Sequence, residues 1–186
     1  MAGTLRIIPL GGVGEVGKNI TVIEADDEIV VVDCGLAFPD PDMLGIDLVV
    51  PDPTYLAERR DAVRGIILTH GHEDHTGGLP YVLPRISGTP IYATKLTIGL
   101  VTGKLKEHKL LGATKLNVVE PGVEFSVGKF RITPFRVNHS IPGGVGFAIR
   151  HDRGTVIHTG DFKFDHTPPD GTRADLGLIA EWGRQG

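Results

Sequence analysis

Gly65-Ile66-Ile67-Leu68-Thr69-His70-Gly71-His72-Glu73-Asp74-His75-Thr76-Gly77-Gly78-Leu79-Pro80 is the stretch on which the fold turns. Its first five residues form a short apolar run with β-branched members, the pattern of a buried strand. Its last five read as a turn entering a short helix. Between them, His70 to His75 concentrate three imidazoles and the carboxylate of Asp74, a donor set suited to a borderline-soft divalent metal. A loop at the carboxyl end of a strand is also where α/β folds place their chemistry. The bland alternative is three solvated histidines on a polar loop. So dense a grouping of imidazole, the commonest metal ligand, favours the metal.

Two distant segments repeat the arrangement. Asn138-His139-Ser140 follows the strand-like 130–137, and His158-Thr159-Gly160-Asp161 follows the strand-like 154–157. Each puts a potential ligand at a strand end, which predicts one convergent site rather than three unrelated loops.

These motifs resemble the metallo-β-lactamase superfamily of two-metal hydrolases: H-x-H-x-D-H, then a lone His, then the Asp of T-G-D. Three further stretches narrow the likeness to the ribonuclease J family, whose enzymes carry an inserted β-CASP domain. They are Gly11-Gly12-Val13-Gly14-Glu15-Val16-Gly17-Lys18-Asn19, His139-Ser140-Ile141-Pro142 and Thr159-Gly160-Asp161-Phe162-Lys163-Phe164-Asp165. The resemblance runs from about residue 5 to the end. It implies an αββα sandwich of the α/β class, of which residues 1–186 form the N-terminal part, with the β-CASP and C-terminal domains outside the chain.

The resemblance also implies a ligand set. His70, His72, His139 and Asp161 would form one zinc site. Asp74, His75 and the shared Asp161 would form most of a second, whose last histidine lies beyond residue 186. Mn2+ is an alternative to Zn2+, since His and Asp suit both. Asp74 and His75 would hold the second ion and orient the nucleophile. Asp33 would support a ligand histidine by accepting its free N–H, or else cap the turn at Asp33-Cys34-Gly35. The implied activity is 5′-to-3′ exoribonuclease with endonuclease action on RNA, in RNA maturation and decay, by a homo-oligomer. The 186-residue piece by itself is expected to be inactive. Two other readings compete: a small-molecule thioester or lactam hydrolase on the same metals, and an inert metal-binding fragment.

Bulk properties are compatible with this. The chain has 186 residues, net charge −4, one cysteine and 26 glycines. No apolar run approaches the roughly 20 residues that span a bilayer, and the N-terminus lacks an apolar signal core. Together with the single cysteine, this predicts a cytoplasmic protein without membrane partners. The negative charge gives no basic footprint for nucleic acid. Lys104, Lys106, Lys109 and Lys115 gather together, the first three on one predicted helix, and read as a solvated face.

Gly12-Val13-Gly14-Glu15-Val16-Gly17, with Asp33 about twenty residues on, imitates a dinucleotide fingerprint. That fingerprint needs a helix after the glycines. Here Asn19-Ile20-Thr21-Val22-Ile23-Glu24 alternates like a strand, so the loop is expected to border the metals instead. Glu73 is not the base of an H-E-x-x-H helix, because the spacing differs, and reads as a solvent or supporting group. Cys34 reads as buried and apolar. His108, His151 and His166 read as solvated, and His158 as structural.

Other expected elements are strands over 5–9, 19–24, 28–33, 91–93, 115–119, 124–127, 145–150 and 155–158. Helices are expected over 55–60, 95–110 and 173–182, and a loop over 40–53. Early and late strands with helices between them suit sheet packed on sheet with helices outside.

Overall fold

A computed structural model describes residues 3–185. Its first sheet has six strands in spatial order: β1 (Arg6–Gly11), β2 (Ile20–Ala25), β3 (Glu28–Val32), β4 (Val63–Ile67), β5 (Ile91–Ala93) and β6 (Leu116–Val118). The second sheet has four: β7 (Phe125–Val127), β8 (Phe130–Arg136), β9 (Val145–His151) and β10 (Gly154–His158), ordered β10-β9-β8-β7. The helices are α1 (Thr54–Glu58), α2 (Glu73–Thr76), α3 (Leu79–Val82), α4 (Lys95–Glu107) and α5 (Leu176–Gln185).

Local chemistry explains the layout. Asp26 and Asp27 both adopt positive φ, 47° and 62°, the backbone of a tight hairpin turn, and β2 and β3 pair across it. From β3 to β6 the pairing is parallel. Parallel neighbours need crossovers, and α1, α2, α3 and α4 lie in those connections. β1 pairs antiparallel with β2, and the second sheet is antiparallel throughout.

Because successive side chains on a strand face opposite ways, the first sheet feeds two cores. Val22, Ile29, Val31, Ile66 and Leu68 pack against the helices with Leu56, Leu79, Val82, Val101 and Leu105. Ile23, Val30, Val32 and Ile67 face the other sheet and meet Phe130, Ile132, Phe147 and Ile149. Burying each such side chain contributes about 1.5–3 kcal/mol. On the far side of the second sheet, Trp182 of α5 lies 5.5 Å from the ring of Phe135. The layers therefore run helix, sheet, sheet, helix.

Several boundaries shift from expectation, each for a local reason. The strand expected over 65–69 is Val63–Ile67: Leu68 N–H still bonds the Tyr92 carbonyl at 2.9 Å, but Thr69 N–H turns to the Asp33 carboxylate. The helix expected to reach residue 110 ends at Glu107, where Lys109 takes positive φ (59°) and terminates the turn. The last helix starts at Leu176 rather than at 173. His151, expected in solvent, is 9% exposed; its ring lies 5.0 Å from Phe130, and its Nδ1 accepts the Arg153 N–H at 3.2 Å. Lys104 is not simply solvated, since it reaches both carboxylate oxygens of Glu73 at 2.7 and 2.5 Å. Among the described residues, no helix is long and apolar enough to cross a membrane.

Candidate metal centre

The parallel pairing of β3 with β4 brings their carboxyl ends side by side, and the site starts there. Asp33, just past β3, is buried and held at φ 60°. Asp is one of the few non-glycine residues that tolerate this region. Its Oδ1 accepts the Thr69 N–H at 2.7 Å and its Oδ2 accepts the Thr69 hydroxyl at 2.8 Å. Oδ2 also accepts the Nδ1–H of His75 at 2.8 Å. Thr69 Oγ1, having given its proton to Asp33, is placed to accept Nδ1–H of His70 at 3.0 Å. This network assigns both tautomers: His70 and His75 each turn an unprotonated Nε2 into the cleft. One buried carboxylate orients two imidazoles, one directly and one through a hydroxyl.

The remaining donors arrive from three other elements. His72 precedes the single turn of α2, which carries Asp74 and His75. His139 follows β8, and Asp161 follows β10. His70 Nε2 lies 3.1 Å from His72 Nδ1, and His139 Nε2 lies 3.3 Å from the same atom. Asp161 spans the cluster, with Oδ2 3.6 Å from His139 Nε2 and Oδ1 3.4 Å from His75 Nε2. Asp74 Oδ2 is 3.4 Å from His75 Nε2. Two overlapping sets thus have donor atoms within 4.8 Å of one another: His70, His72 and His139, and His70, His75 and Asp161. Donors about 2.05 Å from a tetrahedral zinc would stand about 3.3 Å apart. The observed separations bracket that edge, so the residues present fit a divalent ion.

Burial and charge set the protonation. Burial first, and then the neighbouring His75 charge, together push His70 down to about 4. His139 and His158 are also lowered, chiefly by burial. Burial opposes the charged form of His75 too, but the bond to Asp33 and the nearby Asp74 and Asp161 outweigh it, and its pKa is raised. Burial likewise works against ionised Asp33, yet His75 and Thr69 prevail and hold it low.

Two participants were missed in the sequence reading. One is Thr69, whose hydroxyl is the link described above. The other is Asn19, which ends the glycine loop. Its Nδ2 donates to the Asp74 carbonyl at 3.0 Å and to Asp74 Oδ2 at 3.3 Å, and lies 3.2 Å from His75 Nε2. Its position at the end of the quoted glycine motif was the available signal. Gly12, Gly14 and Gly17 take positive φ, and the chain then enters β2 rather than a helix, so the dinucleotide geometry is absent and the loop borders the metal centre. Gly35 has a stricter role: a Cβ there would sit 1.6 Å from the Asp74 carbonyl oxygen. Its bareness lets α2 approach β3, where Cys34 N–H bonds His75 O at 2.8 Å.

Other expected positions resolve simply. Cys34 is buried, and burial raises its thiol beyond any neutral-pH role. Glu73 faces Lys104 of α4. His158 Nδ1 accepts the Gly160 N–H at 3.2 Å, shaping the turn that presents Asp161. His108 and His166 are exposed.

A family model described as the metallo-beta-lactamase superfamily matches residues 13–183. The chain belongs to that superfamily. Within it, the chain is 50% identical to a ribonuclease J of Thermus thermophilus, over 98% of this chain and 33% of that protein. It is 46% identical to a ribonuclease J of Synechocystis, over 98% of this chain and 29% of that protein. The chain thus spans about a third of the length of these curated relatives. Among solved structures, the metallo-beta-lactamase fold protein YhfI of Bacillus subtilis superposes with a TM-score of 0.60 at 18% identity, covering 88% of this chain and 64% of that one. At that identity the likeness concerns the superfamily's fold.

Proposed function

We propose that this chain is the metal-binding part of a ribonuclease J-type phosphodiesterase, which cleaves RNA with two divalent ions, zinc or manganese. The observation that carries the reading is the set of imidazole and carboxylate donors spaced as metal ligands, in a chain about half identical to a named ribonuclease J.

His70, His72 and His139 would hold one ion with Asp161, and Asp74 and His75 would hold a second together with Asp161. Bound ions of this kind lower the pKa of water towards neutrality and stabilise charge developing on a phosphoryl group. Asp33 keeps the His75 ring fixed and its Nε2 free, and through Thr69 does the same for His70. Asn19 steers the Asp74 carboxylate, since its amide has hydrogens to donate to Oδ2 and to the Asp74 carbonyl. Because the Asp33 bond and the nearby Asp74 and Asp161 raise the pKa of His75, a proton would compete with a metal ion for its Nε2, and metal affinity would weaken as pH is lowered.

The test uses the protein that carries this stretch. Metal content and cleavage of a 5′-monophosphorylated RNA are measured with zinc and with manganese, alongside a thioester and a lactam reporter. RNA cleavage that disappears in His72→Ala is expected. Turnover of a reporter with no action on RNA would replace this reading with that of a small-molecule hydrolase.

A further inference from the structure

Beside His139 opens a cavity of about 150 Å³, lying between the loop 137–143 and the loop 163–170. Its two walls are tied together. Lys163 N–H donates to the Asn138 carbonyl at 2.8 Å. The Asn138 amide donates to the Thr172 carbonyl at 2.9 Å and accepts the Ala174 N–H at 3.1 Å. Asn138 is buried, so its whole amide serves to clamp the second loop against the end of β8.

The lining is of two kinds. Ile141, Pro142, Pro168 and Pro169 offer apolar surface, while Ser140 offers a hydroxyl, Lys163 an ammonium, and Asp165 and Asp170 carboxylates, that of Asp170 accepting the Thr172 N–H at 3.0 Å. Lys163 Nζ lies 2.8 Å from Asp165 Oδ2, and Asp165 Oδ1 accepts the Thr167 N–H at 3.0 Å. The pinned carboxylate holds the ammonium at the rim. An ammonium has three donors and Lys163 is 56% exposed, so donors remain for a ligand. An apolar cleft with a few placed polar groups is the usual form of a small-ligand site. Beside a phosphodiester-cleaving centre, a cleft with one restrained cation suits a ribose and base on the apolar wall and a phosphate on the lysine.

We infer that this cavity is the subsite for the nucleotide unit adjoining the cleaved phosphodiester, with Lys163 touching a backbone phosphate oxygen. The inference rests on the ribonuclease reading above. Asp165 offsets the charge of Lys163, so the lysine acts as a single positioning contact rather than as an attractive basic patch.

The experiment measures binding of a single-stranded oligoribonucleotide at several salt concentrations, in a His72→Ala background that stops cleavage. Each phosphate contact on a single strand contributes about 0.7 to the slope of log affinity against log salt. Lys163→Gln is expected to flatten that slope by about 0.7, and Lys163→Arg to restore it. In the cleaving enzyme, Lys163→Gln is expected to raise KM for RNA about ten-fold, the usual effect of losing a charge-assisted hydrogen bond. RNA binding with an unchanged slope in Lys163→Gln overturns the subsite alone. A His72→Ala protein that binds no RNA, from a parent that cuts none, overturns the ribonuclease reading and the subsite with it.

Discussion

His70 and His75 are 1% and 2% exposed and stand behind a carboxylate that fixes both rings, whereas His139 and Asp161 are 22% and 45% exposed on loops. Among the described residues, the side chains of His139 and Asp161 make polar contacts only with other donors of the cluster. The metal centre therefore joins a half made by the core to a half made by loops. The first half belongs to the parallel pair β3 and β4, whose register puts Asp33 beside Thr69. The second is delivered by β8 and β10 of the other sheet.

The largest effect that separates the halves is expected from Asp33→Ala. It strands two donors of Thr69 and one of His75 in a dry interior. Leaving such groups unpaired costs about 3 kcal/mol or more, and loss of a ligand's supporting carboxylate weakens metal binding about 10–100-fold. Asp33→Asn, which tolerates the same positive φ, should recover part of the stability and less of the affinity. His139→Ala, on the open side, should change metal-free stability by less than about 0.5 kcal/mol while removing metal from its site. Urea unfolding with a chelator present, together with metal titrations, gives both numbers. Equal destabilisation by Asp33→Ala and His139→Ala would erase the distinction.

Acid should act on the buried half as well. His70 falls from its ordinary 6.5 to about 4 on folding, so below pH 6.5 the unfolded chain accepts a proton that the folded site refuses. Its stabilisation is complete above 6.5 and is lost as pH falls towards 4, up to about 3 kcal/mol. His139 and His158 act in the same direction. His75, whose pKa is raised, acts oppositely: its contribution is present below 6.5 and is lost as pH rises through its folded value. Three lowered imidazoles against one raised predict a net loss of metal-free stability from pH 6.5 to 4. Melting in chelator across that range checks it, and a Tm that rises on acidification would contradict it.

Gly35→Ala tests a contact inside the core-built half, where the α2 turn rests on the chain just past β3. With a Cβ 1.6 Å from the Asp74 carbonyl, backbone must move. Overpacking of this kind costs about 1–3 kcal/mol, and the displaced turn carries Asp74 and His75. Metal binding at that pair should weaken more than at His72 and His139. Uniform weakening across both would show that α2 does not move separately.

Much of this was legible in the residues. Alternation over 19–24, the density of His70 to His75, and ligands at the ends of the strand-like runs 130–137 and 154–157 all pointed to a sheet sandwich with one site. The hidden parts depend on which strands become neighbours. Asp33 was open between capping a turn and orienting a histidine; its left-handed backbone does the first and its carboxylate the second. Thr69 carried no signal, because a threonine at the end of a buried strand is ordinary until a carboxylate is known to face it. His151 looked solvated because its turn is polar, yet strand pairing turns its ring onto Phe130. Lys104 looked like one charge on a solvated face because the helix that carries Glu73 lies 31 residues earlier in the chain.

That last pair gives the smallest expected effect. Glu73 lies next to Asp74 in sequence, and an acidic residue beside two histidines invites assignment as a general base. Its carboxylate instead meets Lys104 on α4, with Glu73 half exposed. Surface pairs of this kind contribute about 0–1 kcal/mol. Glu73→Gln is therefore expected to lower stability by less than about 1 kcal/mol and to change metal affinity by no more than about threefold. A general base would behave differently, since its loss costs about 10²–10⁴ in rate with metal still bound. RNA cleavage by Glu73→Gln at full metal occupancy separates the two. A loss in that range would move Glu73 from the outside of the site to its centre, and would require the Lys104 pair to break when substrate binds.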